Sequence, residues 1–297
     1  MTEPDLRDPR KLFYDDKFKR QDQSAPALQN KMDPQPDCGE DSYVGHQKLL
    51  NRRVLITGGD SGIGRAAAIA FAREGADVAI QYLPGEQSDA DQVAQYIQEA
   101  GRKAVLLPYD LLDENAPQAL VQQAVTELGG LDTLVLNAAH QTSQADISEL
   151  PLQQVKDTFT INIVAMFALV KAALPTLPAG SSIITTTSIQ AFSPSDHLLD
   201  YAATKAAIAN FTVGLAKQLA AKGIRVNGVA PGPIWTALQL DHGQPPAALP
   251  NFGQNTLMTR AGQPVELAPV YVFLASNDAS YVTAQIYGVT GGKAINL

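Results

Sequence analysis

A single cysteine, Cys38, occurs in 297 residues, so no intramolecular disulfide can form. The four histidines show no metal-ligand spacing. Neither a disulfide framework nor a metal site is therefore expected, and a reducing, cytoplasmic compartment fits. Cys38 reads as a bystander, not a nucleophile. Positive charge is also short: 22 Lys and Arg against 30 Asp and Glu leave a net charge of −8. With no long basic run, the chain is not expected to track nucleic-acid phosphates. Asp5, Arg7, Asp8, Arg10 and Lys11 crowd the N-terminus and leave no apolar core for a signal peptide. The most apolar stretch, Ile161 to Leu174, is interrupted by Asn162 and Lys171. It reads as too short to span a bilayer and as a buried helix instead, so no membrane partner is expected.

What is present is an ordinary globular balance, 45% apolar and 18% charged. Residues 1–48 stand apart. They carry Pro4, Pro9, Pro26, Pro34 and Pro36 without a sustained apolar period, which reads as an extended arm with at most one short helical turn. Leu12, Phe13, Tyr14 and Phe18 form one apolar cluster and Tyr43-Val44 another. Such an arm either docks on a folded surface, a neighbouring subunit's among them, or trails as a disordered tail.

From Arg53 onward, short apolar runs alternate with amphipathic segments. Val54–Thr57, Val78–Ile80, Ala104–Leu107, Leu134–Leu136, Ile183–Thr186, Val226–Val229 and Gln285–Val289 read as seven strands. Helices are expected near 63–73, 88–100, 116–128, 152–174, 200–221 and 265–275. Buried strands that alternate with helices mean a parallel sheet covered on both faces. Residues 49–297 are thus expected to form one α/β, doubly wound, Rossmann-type domain with a mostly parallel seven-stranded sheet.

Thr57-Gly58-Gly59-Asp60-Ser61-Gly62-Ile63-Gly64 falls between the first strand and the first helix. Gly58 permits the tight turn, Gly62 lets the backbone approach a pyrophosphate, and Gly64 lets helix and strand pack closely. The helix N-terminus would then offer free N–H groups to the phosphates. An acidic side chain ending the second strand would select NAD, and an arginine NADP. Tyr82-Leu83-Pro84 supplies neither, while Asp60 adds negative charge and Ser61 no positive charge. The balance leans to NAD, with NADP open. Asp110, with Leu111, follows the third strand, and Asn137-Ala138-Ala139 follows the fourth. Carboxyl ends of strands are where ligands bind in such sheets. Asp110 would accept from an adenine amino group or, equally, cap a turn.

In Tyr201-Ala202-Ala203-Thr204-Lys205 the phenol and the ammonium lie at i and i+4 on one helix face. A neighbouring positive charge lowers a phenol's pKa, which suits proton transfer near neutral pH. Ser188 follows the fifth strand, so the next helix can return Tyr201 towards its hydroxyl. With Asn162 and Pro231-Gly232-Pro233-Ile234-Trp235-Thr236 added, residues 50–293 resemble the short-chain dehydrogenase/reductase family. The arm and Pro36-Asp37-Cys38-Gly39-Glu40 are similar to its bacterial glucose/ribitol-dehydrogenase-like branch.

The resemblance implies an NAD(P)-dependent enzyme acting on CH–OH groups. Tyr201 would be the acid in carbonyl reduction and the base in alcohol oxidation. Lys205 would lower the tyrosine pKa and bind the nicotinamide ribose, and Ser188 would hydrogen-bond the substrate oxygen. Asn162 would bend its helix and hold a water linking Lys205 to solvent. Ile234, through its backbone, and Thr236 would meet the carboxamide, beside Pro231 and Gly232. Ala139 replaces the usual glycine and Leu136 a common asparagine, which alters the fit near the adenosine without removing Asn137. The family also implies a homotetramer.

Residues 237–259, rich in Pro, Gly, Gln and Asn, suit a mobile lid. Gln190, His140, His197, Asn251 and Gln254 are candidate polar contacts, with Ser188, for a small, neutral, hydroxylated or carbonyl substrate. Two rival readings keep the same fold. One is a catalytically silent dinucleotide-binding or sensing protein; the other is an epimerase or dehydratase that retains NAD.

Overall fold

The first strand, β1 (Arg53–Thr57), shows how the sheet is buried. Val54 and Ile56 join one apolar cluster and Leu55 the other, because successive strand side chains point to opposite faces. The computed structural model describes residues 6–295. Its remaining strands are β2 (Asp77–Tyr82), β3 (Ala104–Pro108), β4 (Thr133–Leu136), β5 (Ser182–Thr186), β6 (Arg225–Pro231) and β7 (Ile286–Val289). All neighbours pair in parallel, in the order β3-β2-β1-β4-β5-β6-β7. Leu55 stands opposite Ala79 of β2 on one side and Leu134 of β4 on the other. The strand order reverses at β1/β4, and the crevice opens at the carboxyl ends there.

The helices are α1 (Gly62–Arg73), α2 (Gln87–Glu99), α3 (Ala116–Leu128), α4 (Leu152–Phe159), α5 (Ala165–Ala173), α6 (Leu199–Leu219) and α7 (Ala268–Ala275). The apolar sides of α1, α2 and α7 fill one sheet face; α3, α5 and α6 fill the other. These elements match the expected ones to within a few residues at each end.

One expected helix differs in kind. Between α4 and α5 the turn Thr160–Val164 is a π-helix, in which the Ala165 N–H reaches back to the Thr160 carbonyl. The whole helical run, Leu152–Thr176, is 25 residues long, so length does not exclude a membrane span as the sequence reading held. It packs instead along α3 and α6, burying Met166, Leu169 and Val170 and leaving Val164 and Phe167 exposed.

The arm lies on its own domain. Phe18 stacks on Trp235 with ring centroids 3.8 Å apart, and Trp235 Nε1 donates to the Pro34 carbonyl at 2.8 Å. Phe18, Ala27 and Met32 share a small apolar core with Trp235, Leu240 and Leu249. Arg65 pairs with Glu40 at 2.9 Å, and Tyr43 donates to Glu74 at 2.8 Å. The expected helical turn is the 3-10 segment Gln29–Lys31.

Candidate active site

The turn after β1 is built so that only glycine fits. Gly58 and Gly62 have φ of +60° and +50°, the left-handed region that costs glycine little. A Cβ on Gly64 would lie 1.8 Å from the Gly58 carbonyl oxygen, and one on Gly62 2.8 Å from Thr236 Cγ2. The turn is held from outside by Gln81, whose Oε1 accepts from the Gly58 N–H at 3.0 Å. Asn137 Nδ2 donates to the carbonyls of Thr57 and Gly58 at 3.2 and 3.0 Å, and its Oδ1 accepts from Thr186 Oγ1 at 3.2 Å. Asn137 therefore ties three strand ends together.

Beside this turn is a cavity of about 680 Å³. Of the residues expected to carry catalysis, hold the dinucleotide or touch substrate, all but Gly64, Asn162 and Gln254 line it. Gly58, Asp60, Ser61, Gly62 and Ile63 form one end, with Tyr82, Asp110, Leu111, Asn137 and Ala138 beside them. Ser188, Tyr201, Lys205, Pro231, Gly232, Ile234 and Thr236 form the other. A cavity of this size, with a glycine cradle at a helix N-terminus, fits a dinucleotide. Ile234 is suitably placed: its bridge to Gly262 uses the Trp235 N–H and the Pro233 carbonyl, leaving its own amide groups on the opposite side. Asp110 accepts from the Leu112 N–H at 2.9 Å, so its turn-capping role is formed.

At the other end, Tyr201 is 7% exposed and Lys205 1%. Lys205 Nζ lies 5.2 Å from the Tyr201 ring centroid and donates to the Thr186 carbonyl at 2.9 Å. Burial pushes the Tyr201 phenol up to about 12, while the nearby Ser188 hydroxyl draws it down. Burial also takes Lys205 down to about 7. This corrects the expected tuning. Desolvation, not the neighbouring charge, is the largest influence on both groups.

Asn162 sits behind the cavity wall, inside the π-turn. Its Oδ1 accepts from the His140 N–H at 2.7 Å, and its Nδ2 donates to the His140 carbonyl and to Thr204 Oγ1, both at 3.0 Å. The expected distortion of its helix is the π-turn, which leaves a carbonyl without its α-helical donor. Thr204, inside the Tyr201–Lys205 pentapeptide, was not singled out by sequence; its contact with Asn162 crosses 42 residues.

Two tentative substrate contacts change character. The Gln190 amide is engaged by its own loop, donating to Ser195 Oγ at 2.9 Å and accepting from the Ser195 N–H at 2.6 Å. His197 faces Asp196 through Nδ1 at 3.1 Å, and its buried Nε2 has no partner among the described residues. His140 and Asn251 line the cavity; Gln254 does not.

Sequence reading also missed an acid at the end of β2. The 3-10 turn Pro84–Glu86 brings the Glu86 side chain to the cavity, where it accepts from the Leu83 N–H at 2.8 Å. Burial, then the nearby Asp60, pushes Glu86 up to about 8. Burial pushes Asp60 up to about 7, and Asp60 Oδ2 has no partner among the described residues. The signal was Glu86 itself, two residues beyond Pro84.

A family model described as enoyl-(acyl carrier protein) reductase matches residues 58–294. An uncharacterized oxidoreductase of Bacillus subtilis is 60% identical over 295 residues, covering 98% of this chain and 99% of that protein. Glucose and ribitol dehydrogenase homolog 2 of Arabidopsis thaliana is 44% identical over 282 residues, 92% of this chain and 96% of the relative. A short-chain dehydrogenase of Burkholderia cenocepacia, solved in complex with NADP, superposes with a TM-score of 0.77 at 31% identity. That match covers 82% of this chain and 98% of the other, and it gives no support to the expected lean to NAD. The chain belongs to the short-chain dehydrogenase/reductase family and is an NAD(P)-dependent oxidoreductase.

Proposed function

We propose that the enzyme interconverts an alcohol and an aldehyde or ketone, with Tyr201 as general acid and base. The observation that carries this reading is the buried corner of the cavity that Ser188 and Tyr201 line together, with the Lys205 ammonium 5.2 Å from the Tyr201 ring. The dinucleotide supplies or accepts hydride at the substrate carbon. Everything else falls to the chain. The Ser188 hydroxyl and the Tyr201 phenol converge on one substrate oxygen. In reduction the phenol gives that oxygen its proton; in oxidation the phenolate takes it back. A phenol held near 12 is protonated at neutral pH, the form needed to reduce a carbonyl. Lys205 would hold the ribose hydroxyls and, through a water kept by the π-turn at Asn162, would exchange the proton with solvent, restoring the phenol after reduction and the phenolate before oxidation. Thr236 and the free amide of Ile234 orient the carboxamide.

Residues 237–259 act as the lid, since Leu238, Gln239 and Asp241 already line the cavity. The charges facing the β2 side are carboxyls, which suits a ribose hydroxyl, whereas the solved neighbour holds NADP. Both dinucleotides therefore belong in the assay. The substrate is small, neutral and hydroxylated or carbonyl-bearing, and glucose and ribitol in a relative's name point to polyols. Exposed Leu152 on α4, Val164 in the π-turn and Phe167 on α5 would be covered in a cytoplasmic homotetramer, which light scattering would read as four times the 31.6 kDa chain.

The test is a panel of aldehydes and polyols with each dinucleotide, followed by nicotinamide absorbance. Turnover lost in Tyr201→Phe, with dinucleotide binding kept, supports the reading. Unchanged turnover in that variant refutes the mechanism. Binding without turnover across the panel would favour a sensor, and isomerised substrate with no net absorbance change would favour a hydride-returning epimerase.

A further inference from the structure

Arm residues 26–40 do more than cover apolar surface, for they touch both walls of the cavity's glycine-loop end. Pro26 packs on Gly85, where a Cβ would meet Pro26 Cγ at 3.0 Å, and Ala27 lines the cavity itself. Gln29 is 2% exposed, and its Oε1 accepts from the Gly62 N–H at 2.7 Å. Its Nε2 donates to Cys38 Sγ at 3.3 Å, and that thiol in turn donates to the Gly62 carbonyl at 3.5 Å. The N–H groups of Gln29 and Asn30 donate to the carboxylate of Asp89, in the first turn of α2, at 2.6 and 3.1 Å.

Gly62 is the first residue of α1, and the first N–H groups of a helix have no acceptor within it. Gln29 satisfies one of them with a neutral oxygen. Ile63, the next residue, lines the cavity. A neutral cap fixes the helix end without placing negative charge where a diphosphate would approach. Farther along, Pro34 and Phe18 hold Trp235, whose neighbours Ile234 and Thr236 line the opposite wall. One stretch of arm thus spans the glycine loop, the start of α2 and the Ile234–Thr236 segment.

We propose that residues 26–40 form an intramolecular clamp for the dinucleotide seat, with Gln29 as the positioning residue for the N-terminus of α1. The proposal rests on the NAD(P)-dependent reading. It gives the arm a role in cofactor affinity, separate from catalysis. Coupling of this kind is reciprocal: if the seated arm tightens dinucleotide binding, dinucleotide must tighten the arm.

Hydrogen exchange on the wild-type chain tests this directly. Saturating NAD or NADP should slow exchange of the Gln29 and Asn30 amides, whereas unchanged exchange with bound dinucleotide overturns the proposal. In a second arm, Gln29→Ala should raise the dinucleotide dissociation constant about tenfold, the size of one backbone hydrogen bond. Its kcat at saturating dinucleotide should stay within about twofold of wild type. Gln29→Glu keeps an acceptor but adds charge, so its weakening should be larger at low salt than at high salt. A Gln29→Ala protein with wild-type affinity, or one losing kcat and substrate affinity in parallel, overturns the proposal. Dinucleotide binding with arm protection but no turnover would leave it standing and sink the oxidoreductase mechanism. Normal turnover with an unprotected arm would do the reverse.

Discussion

Replacing Lys205 by methionine separates a buried ammonium from its chemistry. Lys205 is 1% exposed, and burial lowers it from 10.5 to about 7. Between those values the unfolded chain holds a proton that the native protein lacks, so stability rises with pH. Below about pH 7 both states are charged and the full penalty of burying the ammonium applies. Taking the two values at face value, linkage relieves about 3 kcal/mol of that penalty between about pH 6 and about pH 9. This is an upper figure, since native groups relax around a buried charge. Tyr201, held near 12, stays protonated across the window and adds nothing. Urea unfolding of wild type and Lys205→Met at both pH values, without dinucleotide, gives the answer as a difference of differences. Wild type should gain on the variant by about 1–3 kcal/mol as pH rises. A difference that is flat to within about 0.5 kcal/mol, or of opposite sign, would refute the claim that desolvation governs this lysine.

In Tyr201→Phe, kcat should fall about 10²- to 10⁴-fold, with dinucleotide affinity unchanged by fluorescence titration. Gly64→Ala places a methyl 1.8 Å from the Gly58 oxygen. The loop must move, at about 1–3 kcal/mol in urea melts and with weakened dinucleotide binding. Asp60, raised from 3.8 to about 7, keeps a proton that the unfolded chain has already lost, so its stabilising share fades as pH rises through about 7. Asp60→Asn should therefore be more stable relative to wild type above neutrality than below pH 4 in paired melts; an unchanged difference would contradict the burial argument.

The sheet was legible because its strands are short apolar runs broken by Gly, Pro or charged residues, and a parallel strand buried on both faces needs little else. Tyr201, Lys205 and the glycine turn stand out in the sequence because their spacing is local, and the fold brings them to one cavity. What escaped was set by distance along the chain. The Gln29 contact with Gly62 spans 33 residues, and the Trp235 contact with Pro34 spans 201. Neither side leaves a periodic mark. Nothing local marks Gln81 either, although its amide oxygen holds the glycine turn. The phenol was misjudged for a related reason: i and i+4 placed the ammonium nearby, but burial depends on the whole fold, and burial outweighs the pair.

The seating of the arm also bears on the order in which the protein is made. Pro34 waits for Trp235, Asp37 for Gln263 and Pro9 for Arg260, partners that follow by 201, 226 and 251 residues. At ordinary elongation rates that interval is about 10–50 s. Throughout it, Tyr14 and Phe18 are exposed to solvent and chaperones while the central strands assemble behind them. The arm is made before its partners and is among the last segments to find its place, and a chain that stalls before Trp235 carries an apolar arm with nowhere to rest.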